Sequence, residues 1–214
     1  MEKTTVYIIR HGQTSGNKEN KYIGNVDIGI TELGERQAEM TAKHLYGSVK
    51  FDAVYSSDLI RAYLTALPTA TMQGLSVQKE RGLRELYGGD WENLTFPEII
   101  ERFPQGYKTW KTDYSIVHPD GGESVSEMAE RVYGTVKKIV KENAGKTVAI
   151  FTHGGPIRTL VCKLSGKPLS EINDIPWATN TSITIAEFIG DEVTLIQAQK
   201  DDHLGSDMVT SFKD

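Results

Sequence analysis

Short runs of β-branched and aromatic residues alternate along the chain with longer segments in which apolar residues recur every three or four positions. The short runs end in glycine and polar residues, which is typical of buried strands. The longer segments have the period of amphipathic helices. We predict strands at residues 4–9, 51–55, 75–78, 147–152, 182–189 and 193–197, the last two forming a hairpin that turns at Gly190 and Asp191.

Hydroxyl residues mark the predicted helix N-termini, because their side chains accept hydrogen bonds from backbone N–H groups in the first turn. Two of these sites also carry glutamate three residues later, which forms a capping box. Proline in the first turn is another start signal. We predict helices from Thr31 to Leu45, after a serine at 56 or 57, from the Thr95–Glu98 box, from the Ser124–Glu127 box to about residues 143–145, and near Pro156.

The alternation of strands and helices predicts an α/β fold. We expect a three-layer α/β/α sandwich with a mostly parallel central sheet and helices on both faces. Residues 84–122 break this alternation of strands and helices. They are rich in glycine, proline and aromatic residues, which predicts a small aromatic cap insertion. The length of 214 residues, without a linker-like segment, fits a single domain over residues 1–214.

Composition excludes several classes of function. The chain has 24 basic and 29 acidic residues, a net charge of −5, and no lysine or arginine run, which argues against nucleic-acid and anionic-membrane partners. Its apolar segments are too short to span a bilayer. The single cysteine, Cys162, has no disulfide or zinc companion, and with no leader before the first strand it favours the cytoplasm.

Candidate chemistry collects at the ends of three predicted strands. Arg10 and His11 follow the first strand. Arg61 lies in the first turns of the helix after the second strand, and His153 follows directly on the fourth. Ligands bind beyond the carboxyl ends of parallel strands, so we expect these groups to converge. Four such groups in a negatively charged protein predict a pocket for an anion the size of phosphate.

Glycines adjoin both candidate histidines. If one ring nitrogen of His11 bonds to a nearby backbone carbonyl, the other is left bare, and Gly12 permits the close backbone approach. Gly154 and Gly155 follow His153 at the start of a helix. Free N–H groups and the positive end of the helix dipole attract an anion there.

An ordered set of short motifs covers nearly the whole chain. Any one motif is weak evidence by itself, but their occurrence together in this order is a specific signal. They are Arg10-His11-Gly12-Gln13-Thr14 with Asn17, Gly24-Asn25-Val26-Asp27, Thr31-Glu32-Leu33-Gly34, Ser57-Asp58-Leu59-Ile60-Arg61-Ala62, Leu83-Arg84-Glu85-Leu86, Gly89-Asp90-Trp91-Glu92, Gly121-Gly122-Glu123-Ser124 and His153-Gly154-Gly155.

In this order the motifs resemble those of the histidine phosphatase superfamily, also called phosphoglycerate mutase-like. The resemblance implies a reaction without metal or cofactor, in which His11 takes up the phosphoryl group of a small phosphomonoester and water then releases it. The resemblance also implies that Arg10, Arg61 and His153 hold the phosphate oxygens and stabilise the charge of the transition state. Further implied phosphate-binding residues are Thr14, Asn17, Gly24 and Gly154.

Glu85 matches the proton donor of that family. We expect its carboxyl group to lie half-buried beside Trp91, where burial favours the protonated form and nearby cations favour the charged form. Sequence leaves the outcome of this competition open.

Three functions follow from the resemblance. The leading one is a phosphatase acting on a small phosphorylated metabolite. The alternative is a cofactor-dependent phosphoglycerate mutase, but such mutases carry a longer middle insertion with an arginine pair, which residues 90–122 lack. The least favoured is a non-catalytic binding module, which would typically have lost His11 or Glu85.

Other candidates have simpler explanations. His44 lies in the last turn of a predicted helix, where an imidazole favours the negative dipole end. Whether His118, His203 or the aromatic residues between 87 and 114 line the pocket stays open. The sequence also leaves the physiological substrate and the oligomeric state undetermined.

Overall fold

A computed structural model describes residues 2–210 and contains a six-stranded sheet. The order of the strands across the sheet is β3-β2-β4-β1-β5-β6. Pairs β3-β2, β2-β4 and β4-β1 are parallel, whereas β1-β5 and β5-β6 are antiparallel. The strands are β1 (Lys3–Arg10), β2 (Ala53–Ser56), β3 (Val77–Lys79), β4 (Thr147–Thr152), β5 (Ile183–Ile189) and β6 (Glu192–Lys200).

Each face of the sheet packs against its own helix layer, because successive side chains of a strand point to opposite faces. Val6 and Ile8 of β1 join a buried cluster with residues of the helices that begin at Val125 and Gly154. Ile9 joins a second cluster with residues of the two helices that flank β2. This arrangement confirms the predicted α/β sandwich. The helices are α1 (Ser15–Glu19), α2 (Glu32–Ser48), α3 (Ile60–Met72), α4 (Phe96–Arg102), α5 (Pro104–Thr112), α6 (Val125–Glu142) and α7 (Gly154–Leu164).

Most predicted helix starts agree with the structure. Thr31 caps α2, and the capping boxes at Thr95 and Ser124 are present. The predicted serine cap of α3 is wrong. Leu59 occupies that cap position without a side-chain hydrogen bond. Asp27 instead accepts from the backbone N–H of Ile60 at 2.7 Å.

The predicted cap at residues 84–122 contains α4, α5 and two short 3₁₀ segments. Its aromatic side chains pack edge-on and tilted against one another, and most of them belong to or pack against the same buried cluster as strand β1. The cap is therefore continuous with the core. The predicted domain limits stay a prediction, because residue 1 and residues 211–214 lie outside the described part. None of the described helices is long and apolar enough to cross a membrane.

Candidate active site

A small cleft opens where β1 and β4 end. It also receives residues from α3 and from the cap. Among the residues predicted from sequence, the following line this cleft: Arg10, His11, Thr14, Asn17, Gly24, Arg61, Glu85 and Gly154. His153 is fully buried, and its ring centroid lies 5.2 Å from that of His11. The structure thus brings all nine predicted site residues together.

The ring of His11 is held in one orientation. Its Nδ1 lies 2.7 Å from the carbonyl oxygen of Gly12, and a carbonyl accepts only from a protonated nitrogen. The proton therefore resides on Nδ1, and Nε2 carries a lone pair. Within residues 2–210, no side chain or backbone group hydrogen-bonds to Nε2. A Cβ at position 12 would lie 2.6 Å from the Gly34 carbonyl oxygen, so this turn requires glycine.

Both site histidines are neutral at ordinary pH. Burial lowers the pKa of His11 well below its usual value of 6.5, and the charges of Arg61 and Arg10 lower it further. Burial lowers the pKa of His153 in the same way, with Arg61 and then His11 adding to the effect. A neutral imidazole retains a nucleophilic lone pair, which a protonated ring lacks.

Two arginines supply the positive charge. Burial lowers the pKa of Arg10 and Arg61 to about 10, and the carboxylate of Glu85 opposes that shift in each case. Both guanidinium groups therefore remain charged at neutral pH. Arg61 donates through Nη2 to the carbonyl oxygen of Gly24 at 2.6 Å and through Nη1 to that of Val26 at 2.9 Å.

Three buried nitrogens beside the cleft have no hydrogen-bond partner in the described part of the chain. They are Nε of Arg10 and both ring nitrogens of His153. Buried polar atoms are nearly always hydrogen-bonded, so unpaired ones signal a missing partner. Arg10 and the first turn of α7 add positive charge at this point. The chemistry of this set suits an anion with several oxygens.

The loop before α1 is also fixed by hydrogen bonds. The side-chain oxygen of Asn17 accepts from the backbone N–H of Thr14 at 3.0 Å and from its hydroxyl at 3.1 Å. Asn180 donates to that oxygen at 3.3 Å and to the His11 carbonyl at 2.9 Å. The oxygen of Asn17 is therefore occupied, which leaves its amide N–H groups as donors for the cleft.

Glu85 lines the cleft from the first residues of the cap segment. Its carboxylate accepts from the backbone N–H of Leu86 at 2.8 Å and from that of Gly155 at 3.1 Å. Gly155 lies in the first turn of α7, where backbone N–H groups are available. A Cβ on Gly155 would collide with the Glu85 carboxylate and lie 3.2 Å from the hydroxyl of Tyr114.

Trp91, expected beside Glu85, is buried in the cap. Its ring centroid lies 6.1 Å from that of Tyr22 and 5.9 Å from that of Trp110, and within residues 2–210 it does not line the cleft. Of the aromatic residues between 87 and 114, Trp110 and Tyr114 line the cleft.

The two histidines left open by the sequence lie elsewhere. His118 is exposed and contacts the Gly122 carbonyl at 3.3 Å. His203 stacks on His44 with ring centroids 5.1 Å apart and bonds to the hydroxyl of Thr41.

Sequence reasoning missed several residues of the site. Lys21, Tyr22, Ile23 and Trp177 line the cleft, and Asn180 supports it from behind. All five come from loops without a local pattern that indicates chemistry. Within residues 2–210, no group of three or more His, Cys, Asp or Glu side chains is arranged to hold a metal ion.

Comparison with known proteins identifies the family. The model of the histidine phosphatase superfamily (branch 1) matches residues 6–201. The chain belongs to the histidine phosphatase superfamily. This confirms the resemblance predicted from the motifs and makes the protein an enzyme of that superfamily.

Individual members of the histidine phosphatase superfamily match over most of their length. Phosphoserine phosphatase 1 of Hydrogenobacter thermophilus is 33% identical over 77% of this chain and 77% of its own. Phosphoglycerate mutase-like protein 4 of Arabidopsis thaliana is 34% identical over 89% and 82%, respectively. A solved mycobacterial glucosyl-3-phosphoglycerate phosphatase in complex with VO3 is 30% identical, with a TM-score of 0.84 over 92% of this chain and 99% of that one.

Proposed function

We propose that the protein is a phosphomonoester hydrolase that acts on a small phosphorylated metabolite through a phosphohistidine at His11. One observation carries the proposal. The bare Nε2 of a neutral His11 faces the cleft beside two buried arginines and the unpaired ring of His153. A nucleophile next to fixed donors for phosphate oxygens is the requirement for phosphoryl transfer.

In the first step, Nε2 of His11 attacks phosphorus and the bond from phosphorus to the leaving oxygen breaks. Arg10, Arg61 and His153 bind the phosphate oxygens and stabilise the charge of the transition state. Glu85 must enter this step as the neutral carboxylic acid, and it gives its proton to the leaving oxygen, so an alcohol departs. The Nδ1–H bond to the Gly12 carbonyl stabilises the positive ring that results.

In the second step, water attacks the phosphohistidine. Glu85, now a carboxylate, takes a proton from that water while the bond between phosphorus and Nε2 breaks. Inorganic phosphate leaves, and His11 returns to its neutral state. The charge stabilisation in both steps comes from side chains, so we infer that the reaction needs no metal or cofactor.

The phosphoglycerate mutase alternative shares the first step. It would also have to bind the carboxylate and second phosphate of its substrate. Among the described lining residues outside the phosphate pocket, Lys21 is the single cation, and it is paired with Glu19 at 2.7 Å. The name of the Hydrogenobacter relative also supports hydrolysis. A non-catalytic binding module fits least, because His11 and Glu85 both line the cleft.

The decisive experiment is a screen of phosphorylated metabolites for release of inorganic phosphate, with and without EDTA. We expect release that EDTA does not reduce, together with an acid-labile, base-stable phosphoenzyme after a rapid quench. Isomerisation of 3-phosphoglycerate in the presence of a bisphosphate primer, without phosphate release, would favour the mutase. Loss of activity with EDTA that added metal restores would contradict the metal-free reaction. We further propose a cytoplasmic location, in keeping with the unpaired Cys162.

A further inference from the structure

The backbone segment that ends at Glu85 is held by a single guanidinium group from α6. Nη1 of Arg131 donates to the carbonyl oxygens of Gly82 at 2.9 Å and Arg84 at 3.1 Å. Nη2 of the same residue donates to the carbonyl oxygen of Glu85 at 3.4 Å. One side chain therefore binds three of the four carbonyls in residues 82–85.

The other edge of this guanidinium group is paired with Glu123. Nε and Nη2 of Arg131 each donate to one carboxylate oxygen of Glu123, both at 2.7 Å. This two-point geometry is the strongest form of the arginine–carboxylate pair, and it fixes the plane of the guanidinium group. Glu123 therefore aims the remaining N–H groups of Arg131 at the carbonyls.

The remaining carbonyl of the segment is held from β4. The hydroxyl of Thr152, the residue before His153, donates to the carbonyl oxygen of Leu83 at 2.7 Å. Asn25 adds a second donor to the Glu85 carbonyl at 3.4 Å. All four successive carbonyls thus have side-chain donors from outside the segment. The segment is positioned relative to both α6 and the strand that precedes His153.

We propose that Arg131, oriented by Glu123, is a positioning residue that holds the carboxyl group of Glu85 in register with the leaving oxygen. The inference rests on the proposed function of Glu85 as proton donor. The carboxylate of Glu85 accepts from backbone N–H groups, those of Leu86 and Gly155. Its place in the cleft therefore depends on where the backbone of its own segment lies.

The inference also explains the Gly121-Gly122-Glu123-Ser124 motif, which contributes nothing directly to the cleft. The backbone N–H of Glu123 donates to the Tyr87 carbonyl at 2.8 Å. A Cβ on Gly122 would collide with that same carbonyl oxygen. The motif thus packs tightly against the chain just after Glu85 and presents the Glu123 carboxylate to Arg131.

The test compares Arg131→Lys with a matched variant of the same helix. Lysine keeps the charge but has no planar fork of donors that could bind the carboxylate and three carbonyls together. Lys138→Met is the control, because Lys138 also joins α6 to the chain just before this segment, through an ion pair with Glu80 at 2.8 Å. That pair touches none of the carbonyls of residues 82–85.

The readout is the burst-phase rate with two probes. Glycerol 3-phosphate expels an alkoxide that needs a proton, whereas p-nitrophenyl phosphate expels a stable phenolate that does not. We expect Arg131→Lys to slow the burst with glycerol 3-phosphate roughly 10- to 100-fold, as misplacement of a catalytic group by about 1 Å does. The burst with p-nitrophenyl phosphate and the affinity for vanadate should change by less than about 3-fold, because the phosphate site is intact.

A double-variant experiment separates positioning from general loosening of the structure. In a Glu85→Gln background, Arg131→Lys should cause no further loss with glycerol 3-phosphate, since the group that it positions no longer donates a proton. Additive losses, or equal losses with both probes, would overturn the inference. Lys138→Met should behave as wild type in each assay.

A substitute variant and the wild-type burst distinguish failure of the positioning role from failure of the proposed function. If Arg131→Lys does not fold, Glu123→Gln retains the shape of the carboxylate but not its charge, and the same selective loss is expected in a milder form. If wild-type protein forms no phosphoenzyme with either probe, the proposed function itself fails. If wild-type protein forms a phosphoenzyme but the Arg131 and Glu123 variants do not slow the burst with glycerol 3-phosphate more than the burst with p-nitrophenyl phosphate, only the positioning role fails.

Discussion

The Nδ1 atom of His11 lies 2.7 Å from the carbonyl oxygen of Gly12, the next residue in the chain. This contact places the ring proton on Nδ1 and leaves Nε2 with a free lone pair, the nucleophile of the proposed reaction. In that reaction it also gives the positive charge of a phosphorylated ring a fixed acceptor. The tautomer of His11 is therefore set by the backbone turn that follows β1.

The first prediction concerns His11→Ala. We expect turnover and phosphoenzyme labelling to vanish while the thermal unfolding curve and circular dichroism spectrum stay close to wild type, because in the proposed reaction the other neutral imidazole, His153, binds a phosphate oxygen and does not attack phosphorus. His118→Ala is the matched control, since that histidine is exposed and lies outside the cleft lining. An acid-labile, base-stable phosphoenzyme in His11→Ala would contradict the assignment.

The second prediction concerns protonation of the paired histidines. Burial and the two arginines lower the pKa of His11 and His153, so both rings should stay neutral in the free protein at pH 6.5. Inorganic phosphate should raise the pKa of His153, because its negative charge offsets the arginines. Ring ¹⁵N NMR shifts across a pH titration provide the measurement. A half-protonated His11 near pH 6.5 without phosphate would contradict it.

The same shifts have a consequence for stability. In the unfolded chain these histidines take up protons near their ordinary pKa of 6.5, whereas in the folded protein they do so only at lower pH. The stabilisation that these two histidines give the folded protein is therefore complete above pH 6.5 and is lost as the pH falls below that value. Each histidine should add up to about 1.4 kcal/mol per pH unit to the slope of the unfolding free energy. Urea titrations should give a shallower slope below pH 6.5 for His153→Asn.

The sequence predicted the phosphate pocket because its residues follow local signals. Arg10 ends strand β1, His11 follows it, and His153 follows strand β4, and the carboxyl ends of parallel strands share one edge of the sheet. Parallel pairing of β1 with β4 then brings Arg10 opposite Thr152, the residue before His153. Strand pattern and chain order were sufficient for that part of the site.

The rest of the site depends on contacts between distant residues. Asp27 replaces the predicted serine as acceptor at the start of α3, 33 positions away from Ile60. Trp91 packs against Tyr22 and Trp110 in the cap, whereas Trp110 and Tyr114 line the cleft. Contacts between residues distant in sequence determine which side chain caps a helix and which aromatic residues line the cleft. The local pattern of residues does not predict either.

The third prediction uses two helical glycines. Gly155→Ala should push the Glu85 carboxylate out of place, since the new Cβ would collide with it. We expect selective loss of alkyl phosphate hydrolysis and a stability cost of about 1–3 kcal/mol, typical of overpacking. Gly134→Ala on α6 is the control, because a Cβ there has no neighbour within 4 Å. It should raise stability by roughly 0.5–1 kcal/mol and leave rates unchanged. Equal rates for the two variants would show that Gly155 does not support Glu85.

The last prediction concerns Asn180, which is fully buried and donates its side-chain N–H groups to the His11 carbonyl and the Asn17 oxygen. Asn180→Ala leaves that carbonyl unpaired, which costs about 1–3 kcal/mol. Asn180→Asp should destabilise the protein more than Asn180→Ala, because a carboxylate then faces two oxygen acceptors and cannot donate to either. We therefore expect stability and vanadate affinity to fall in the order wild type, Ala, Asp.

A second buried asparagine provides the control for that order. Asn143 also donates to a carbonyl, that of Ile139 at 2.8 Å, and to the hydroxyl of Tyr55, but it lies just beyond the end of α6 and outside the cleft lining. Asn143→Asp should destabilise the fold in urea titrations while vanadate affinity stays within about 2-fold of wild type, because vanadate reports on the phosphate site alone. If Asn180→Asp also leaves vanadate affinity unchanged despite its loss of stability, then Asn180 supports only the fold, and the orientation of the His11 loop depends on its other contacts, such as the bond from the Gly12 N–H to the hydroxyl of Thr65.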